Sequence, residues 1–515
     1  MIVLSREEAG RALGLGPLDA PVEGVCTDSR RVRPGDLFVA LRGERFDGHD
    51  FVAEALSKGA CGAIVEANWW ADRGARMIGS APGTTALASE RAEIIYPVDD
   101  TLRALGWLAR DVRRKSATKV VAVTGSVGKT STKDLLNAMA ARVCRVVGTS
   151  ANQNNEVGVP LTLLGIEPDT DLAIVEMGMR GPGQIGALAR VAEPDVGVVT
   201  NIYPVHLELL GTLENIAKAK AELLVCLRPD ALAVIPADCP LLAPYAAGVA
   251  CRVVRFAFGS GSGGGEAADV SGSFLPGEAQ GKGVLRLRWP EGQAEVEVPF
   301  ASRHRLENAV AAAAACYAAE LPVERCVSGL ANACFSGSRG DVLGVPGLTL
   351  IDDTYNASPA AVRAALDDLV ELAGEVAGRP VAVLGDMLEL GPDTAAYHEA
   401  TGAYAAEAGV AALWGVGPLS VSTVEGFRRA RATGTADTSE ESIPPLQAGN
   451  VGSADEASPI LADLRRGDVV LLKASRSMGL EVLVRRIKKE AAAGRWAGPS
   501  GADVDRGGTT KGSRA

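Results

Sequence analysis

An apolar run, Val120 to Thr124, leads directly into Gly125-Ser126-Val127-Gly128-Lys129-Thr130 and then into a stretch with helical spacing. Glycines placed this way let the backbone curl until successive N–H groups face one anion, and the helix that follows adds its own orphan donors. Lys129 is positioned to reach the terminal phosphates of a nucleotide, and the Thr130 hydroxyl suits magnesium. The position five before Gly128 is Val123, where the common form of the motif carries glycine. The plainer alternative is a tight strand-to-helix turn with a surface lysine. Strand, loop and Lys-Thr pair occur in the order that phosphate binding requires.

Downstream residues extend this chemistry. Glu176 ends the apolar run Leu172 to Val175, a place for either a metal-site carboxylate or a helix cap. His206, one of four histidines, is either structural or a ligand. Lys218 and Lys220 sit two apart on one expected helix and so point in different directions. An ammonium facing magnesium would be repelled, since that ion takes oxygen ligands. Carbamylation would turn the amine into a carboxylate-like group. Polar clusters outside this region include Thr27-Asp28-Ser29-Arg30 and Asp353-Thr354-Tyr355-Asn356. Each fits a binding loop or an ordinary turn.

The elements that must hold these residues fall into three blocks. In the first, helices are expected at Ser5 to Leu15 and Phe51 to Lys58, with strands at Asp36 to Ala40 and Cys61 to Val65. A Gly- and Ala-rich stretch near 80–92 closes it. The second predicts helices at Thr101 to Lys115, Thr130 to Ala141, Leu213 to Leu227 and Leu306 to Ala319. Its strands are Val120 to Thr124, Leu172 to Glu176 and Val196 to Asn201, with an antiparallel pair Leu285 to Trp289 and Ala294 to Val298. A Gly/Ser tract, Gly259 to Gly265, reads as a flexible hairpin tip or insertion. The third predicts strands at Leu348 to Asp352, Val381 to Gly385, Ala411 to Gly415 and Asp468 to Lys473, and helices at Pro359 to Gly374 and Ala395 to Ala408. Strands alternating with helices imply a mostly parallel sheet with ligands beyond the carboxyl ends. The domain bounds expected are 1–90, 91–335 and 336–489, with a disordered tail over 490–515, where little can be buried.

Composition removes several classes. At 515 residues the chain exceeds one comfortable core. A net charge of -11 without a long basic block argues against nucleic acid. Nine scattered cysteines with no CxxC pair argue against a zinc ribbon or disulfide framework. The longest apolar stretch, Ala309 to Ala319, is far short of a membrane span, and no secretory signal is indicated at Met1 to Glu8. A cytoplasmic enzyme is expected.

Taken together the motifs resemble the Mur ligase family over roughly residues 22–485. The resemblance rests on Thr124 to Thr130, Asn154-Asn155-Glu156-Val157-Gly158-Val159-Pro160, Glu176, His206-Leu207-Glu208 and Ala217-Lys218-Ala219-Lys220. It implies a three-domain α/β architecture: a UDP-substrate domain, a central P-loop parallel-sheet ATPase domain and a Rossmann-like C-terminal domain. It implies ATP as co-substrate and two magnesium ions held by Thr130, Glu176, His206 and Lys220. Lys220, fourteen residues after His206, matches the family's carbamylated lysine better than Lys218 does. The loop Gly125, Ser126, Val127, Gly128, Lys129 and Thr130, with His304, Asn308, Arg339 and Asp353, would contact ATP. Ser29 and Arg30 would meet the UDP-sugar, while Asn154, Asn155 and Glu156 line the passage to it. Tyr355, Asn356, Lys473 and Arg476 would shape the cleft for the incoming amine and receive its carboxylate. Three positions depart from the family pattern: Tyr203 and Ala474 replace glycine, and Arg305 replaces asparagine. His49 reads as a residue that orders its loop.

The reaction implied joins D-alanyl-D-alanine to UDP-N-acetylmuramoyl-tripeptide through an acyl phosphate, catalysed by a monomer. The alternatives are a sibling synthetase adding lysine or diaminopimelate, and a nucleotide-driven switch that is no ligase. The Asp-Asn-Pro-Arg motif of the diaminopimelate-adding type is absent from the third block. By the same resemblance, Asp353-Thr354-Tyr355-Asn356 together with Gly385-Asp386-Met387-Leu388-Glu389-Leu390-Gly391 favours dipeptide addition.

Overall fold

Ser5 opens the first helix with a reciprocal cap: its hydroxyl accepts from the Glu8 amide while the Glu8 carboxylate accepts from the Ser5 amide. The helix spans Arg6–Leu13 and ends at Gly14, φ 72°. The computed structural model describes residues 1–43, 46–74, 94–259, 267–277, 282–434 and 447–496. Its contacts divide into two units: residues 1–203 with 209–336, and residues 204–208 with 337 onward.

The first unit holds two sheets. A four-stranded parallel sheet runs in chain order, Gly24–Cys26, Asp36–Val39, Gly62–Glu66 and Ile95–Val98. Phe38, Val52, Ala55, Val65 and Trp69 form its core with the helix Val52–Ser57. The stretch near 80–92 lies outside the described residues.

The second sheet has nine strands. From one edge they run Gly292–Val298, Gly283–Trp289, Val270–Pro276, Arg252–Phe258, Leu232–Pro236, Val196–Val199, Lys119–Thr124, Leu172–Glu176 and Val146–Gly148. The first two junctions are antiparallel and all the others parallel. Lys119–Thr124 is therefore central, and its side chains from Val120 to Thr124 are buried. A parallel strand covered on both faces must be a nearly continuous apolar run, which is how the segment reads. The Ala-rich helix, Arg303–Ala318, is buried from Ala309 to Cys316 and packs beside Lys129–Ala140. Small side chains permit that close approach. The Gly/Ser tract falls largely outside the described residues; Gly259 follows directly on the strand Arg252–Phe258.

The second unit carries a six-stranded sheet ordered Asp341–Val345, Leu348–Asp353, Val469–Lys473, Pro380–Gly385, Ala412–Val416 and Gln447–Val451. Only the first pair is antiparallel. Pro359–Glu375, Thr394–Ala408 and Ser420–Gly434 contribute to one core, and Ser458–Asp463 and Glu481–Ala492 to another. One expectation is corrected. The chain is not unstructured from 490: the last helix continues to Ala492, and Trp496 is buried with its indole N–H on the Leu464 carbonyl at 2.9 Å. A single large aromatic side chain supplies what the polar sequence around it lacks. Residues 497–515 lie outside the described residues.

Candidate active site

The central strand ends at Thr124, whose hydroxyl donates to the Met177 carbonyl at 2.9 Å. Gly125 then takes φ 150°, and a Cβ there would lie 1.9 Å from the Thr200 hydroxyl. Gly128 takes φ 82°, and its missing Cβ would lie 2.3 Å from Asn308 Oδ1. Both glycines are thus required by backbone sign and by crowding. The next strand's end clamps the loop. Asn201 Oδ1 accepts from the Val127 N–H at 2.9 Å, and its amide donates back to the Val127 carbonyl at 2.9 Å. Thr200 donates to that carbonyl at 2.7 Å. Ser126 accepts from the Tyr203 N–H and donates to the Tyr203 carbonyl. Only backbone of Tyr203 is used in these bonds, so a side chain in place of glycine leaves the clamp intact. The sequence reading passed over Thr200 and Asn201. Their signal was position, at the carboxyl end of the strand beside the loop.

Helix Lys129–Ala140 begins directly after the loop and points its first amides into it. Lys129 Nζ donates to the carbonyls of Gly125 and Ser126 at 2.8 and 3.2 Å. Thr130 and Glu176 meet across the sheet, hydroxyl to carboxylate at 2.7 Å. Glu176 Oε1 accepts from Asn154 Nδ2 at 2.8 Å, and the Glu176 amide donates to the Thr149 hydroxyl at 2.9 Å. Glu176 is buried, 1% exposed. This hydroxyl and carboxylate are hard oxygen donors beside a phosphate loop, and they fit magnesium, which commonly takes one or two carboxylates plus substrate phosphates.

The two lysines separate cleanly: Lys220 is 2% exposed, whereas Lys218 faces solvent. Burial, and then the positive charge of Lys129, push the Lys220 amine well below its ordinary value. Among the described residues its Nζ has no hydrogen-bond or ion-pair partner. A neutral, buried amine is the form that adds to carbon dioxide.

Asn308 abuts the loop through the contact at Gly128, and His304 lies one turn earlier, half-buried. The Arg305 guanidinium lies 4.6 Å from the centre of the Phe335 ring. Asn155 Oδ1 accepts from the amides of Val157 and Gly158 at the start of Gly158–Leu164, while Glu156 is exposed. In the first sheet's domain, Ser29 is buried and donates to Glu54 at 3.2 Å. Arg30 is exposed and pairs with Asp28 at 2.7 Å, which draws the Asp28 carboxyl down to about 2. His49 is fully buried, with Nε2 accepting from the Glu66 amide and Nδ1 against Asp47, the loop-ordering role expected of it.

In the second unit, Lys473 is 3% exposed and donates to Asp353 at 2.5 Å and to the Asn356 carbonyl at 2.9 Å. It holds the turn after Leu348–Asp353 in place, and Asn356 is exposed beyond it. Arg339 lies 4.0 Å and Arg476 5.8 Å from the centre of the Tyr355 ring, which gathers an expected nucleotide contact and two expected cleft residues. Ser475 accepts from the Leu388 amide at 2.9 Å, joining this turn to the Gly385–Gly391 segment. His206 belongs to residues 204–208, which group with this unit, and its Nδ1 is paired with Glu389. Both residues have left-handed backbone, φ 54° and 64°, sparsely populated for side chains of this kind.

A buried P-loop strand, a threonine-carboxylate pair and a sequestered lysine define a nucleotide-using class, and comparison with known proteins gives the family. The description "Mur ligase family, catalytic domain" matches residues 21–113, "Mur ligase middle domain" 123–316, and "Mur ligase, glutamate ligase domain" 338–476. The chain belongs to the Mur ligase family. It is 33% identical over 465 residues to the UDP-N-acetylmuramoyl-tripeptide–D-alanyl-D-alanine ligase of Bacillus subtilis, covering 90% of this chain and 93% of that one. The Escherichia coli protein of the same name is 32% identical, over 92% and 95%. MurF of Acinetobacter baumannii superposes with a TM-score of 0.77 at 29% identity, over 95% and 99%. MurF of Thermotoga maritima in complex with ADP gives 0.73 at 28%, over 91% and 98%. Among the described residues no helix is long and apolar enough to cross a membrane.

Proposed function

We propose that this chain uses ATP to join D-alanyl-D-alanine to UDP-N-acetylmuramoyl-tripeptide, completing the pentapeptide precursor of peptidoglycan. The observation that carries the reading is likeness along nearly the whole chain to ligases of that name, at 32–36% identity for those of Bacillus, Synechocystis, Mycobacterium and Escherichia. The phosphate loop, Glu176 and Lys220 support it.

A carboxylate is a poor electrophile, so the tripeptide terminus first attacks the γ-phosphate of ATP, expels ADP and becomes an acyl phosphate. The dipeptide amine then adds to that carbonyl and phosphate leaves. Loop amides from Gly125 to Thr130 hold the phosphates, and Lys129 offsets charge on the phosphoryl group in transfer. Thr130, Glu176, His206 and a carbamate on Lys220 would hold two magnesium ions, which when bound screen charge on the transferring phosphoryl group. His206 would exchange Glu389 for that role. Asn154 orients Glu176. Arg339 and Asp353 would contact the nucleotide, with Lys473 as the residue that positions Asp353. Ser29, Arg30, Asn155, Glu156, Tyr355, Asn356 and Arg476 would complete the substrate contacts. Closing domains would keep water from the acyl phosphate. A cytoplasmic monomer completes the reading, with a first domain that runs through the strand Ile95–Val98 and a last one that runs through Trp496.

Phosphate release tests it. Release should require both UDP-muramoyl-tripeptide and D-alanyl-D-alanine and should yield a product of the ligated mass. Turnover with lysine or diaminopimelate on the dipeptide precursor would instead identify a sibling synthetase. Steady hydrolysis without an acceptor would identify a switch.

A further inference from the structure

The chain leaves the first unit at Ser336 and enters the second at Gly337. That last residue is gripped twice. Its amide donates to Asp134 Oδ2 at 2.7 Å and its hydroxyl to Asp134 Oδ1 at 3.0 Å. Asp134 lies on the helix that starts at Lys129, little more than one turn beyond Thr130. Its neighbour Lys133 is 4% exposed, reaches Asp134 at 3.0 Å and donates to the Thr149 carbonyl at 3.1 Å. The Thr149 hydroxyl in turn accepts from the Glu176 amide.

A lysine this buried is costly to maintain unless its charge is matched, and here Asp134 and the Thr149 carbonyl match it. The chain of bonds runs Ser336, Asp134, Lys133, Thr149, Glu176, Thr130. It ties the exit from the first unit to the two residues that present oxygens beside the phosphate loop. We infer that Asp134 is a positioning residue for the ligation, fixing the pivot at Ser336 to the nucleotide helix so that loop and pivot move as one body. The inference rests on the ligase reading, since only a reaction that needs domain closure would feel the pivot.

Spatial continuity alone does not establish coupling, so the test is a double-mutant cycle on the full-length enzyme. The wild-type assay comes first: dipeptide-dependent product formation must be present, and its absence would count against the ligase reading instead. Asp134→Asn and Ser336→Ala should then each lower kcat about tenfold, the lower end of what losing an outer partner does. ADP affinity by calorimetric titration should stay within about twofold, because neither residue touches the phosphate loop directly. The double variant should be no slower than the slower single one, and Ser336→Thr, which keeps the hydroxyl, should retain activity. Additive losses in the cycle would overturn the inference. So would an unchanged kcat, or a fall in activity that merely follows the folded fraction measured by circular dichroism.

Discussion

Gly128 combines two constraints, a φ of 82° and an Asn308 amide oxygen 2.3 Å from where a Cβ would stand. Gly128→Ala must bear roughly 1–2 kcal/mol of left-handed backbone cost and also displace Asn308. It should lower the first unit's midpoint and weaken ADP binding at least about tenfold, which titration calorimetry would read. A variant that binds ADP normally would show that the loop's curl is not what grips phosphate. Lys220 offers a sharper separation of stability from activity. Its amine is pushed down by burial and by Lys129, so below about pH 10.4, the ordinary lysine value, protonation favours the unfolded chain. Lys220→Met removes that penalty and fills the same space. Its Tm at pH 7 should not fall, while ligation should drop by about a hundredfold or more if the residue serves the phosphoryl centre. Wild-type protein in carbon-13 bicarbonate should also show a carbamate carbonyl signal that the variant lacks. Retained activity in Lys220→Met would remove the lysine from the mechanism.

Helix Thr394–Ala408 is held to the Gly385–Gly391 segment by His398, which is fully buried. Its Nε2 accepts from the Met387 amide at 3.0 Å and its Nδ1 donates to the Thr394 carbonyl at 2.8 Å. Those bonds require the neutral ring, and burial draws its pKa below the ordinary value. The unfolded chain therefore binds a proton first as pH falls below about 6.5. The stability His398 contributes is complete above that value and is lost downward toward the folded pKa. The second unit's midpoint should therefore drop as pH falls below about 6.5, and His398→Gln should flatten that slope; an equal slope in the variant would place the titration elsewhere. The sequence announced the helix by its spacing, but not this bond. The same limit holds across the fold. Long periodic segments such as Thr101–Lys115 and buried apolar runs such as Leu172–Glu176 were legible because burial writes its period into side chains. Short or mixed strands such as Gly24–Cys26, Val146–Gly148 and Val270–Pro276 were not, because their neighbours in the sheet decide them. The motifs pointed to Glu176 and to Lys220 rather than Lys218, whereas the burial of Lys220 and the exposure of Lys218 had to come from the fold. The Lys473–Asp353 pair joins residues 120 apart in sequence, a separation that no local pattern encodes.

Each of the two units has apolar cores of its own: in the first, one under the four-stranded sheet and one gathered around the helix Arg303–Ala318; in the second, those on the two faces of the six-stranded sheet. Units with separate cores commonly unfold in separate steps, so calorimetry should resolve two transitions. Trp496→Ala identifies one of them. Losing a buried tryptophan costs roughly 3–5 kcal/mol, and its bond to Leu464 is lost as well. At roughly 2–4 °C per kcal/mol for a unit of this size, the second unit's midpoint should fall by about 10 °C while the first unit's stays in place. A single transition moving as a whole would show that the units are not thermodynamically distinct. Saturating ADP then reports where the nucleotide is held. About a hundredfold excess over Kd adds about 2.7 kcal/mol to whatever binds it. A nucleotide gripped only by the Gly125–Thr130 loop raises the first transition alone. One gripped also by Arg339 and Asp353 raises both, and Arg339→Ala should then return the second transition to its unliganded position without moving the first. If Arg339→Ala leaves both shifts intact, the arginine beside Tyr355 is no nucleotide contact, and its place in the site reverts to shaping the cleft around that ring.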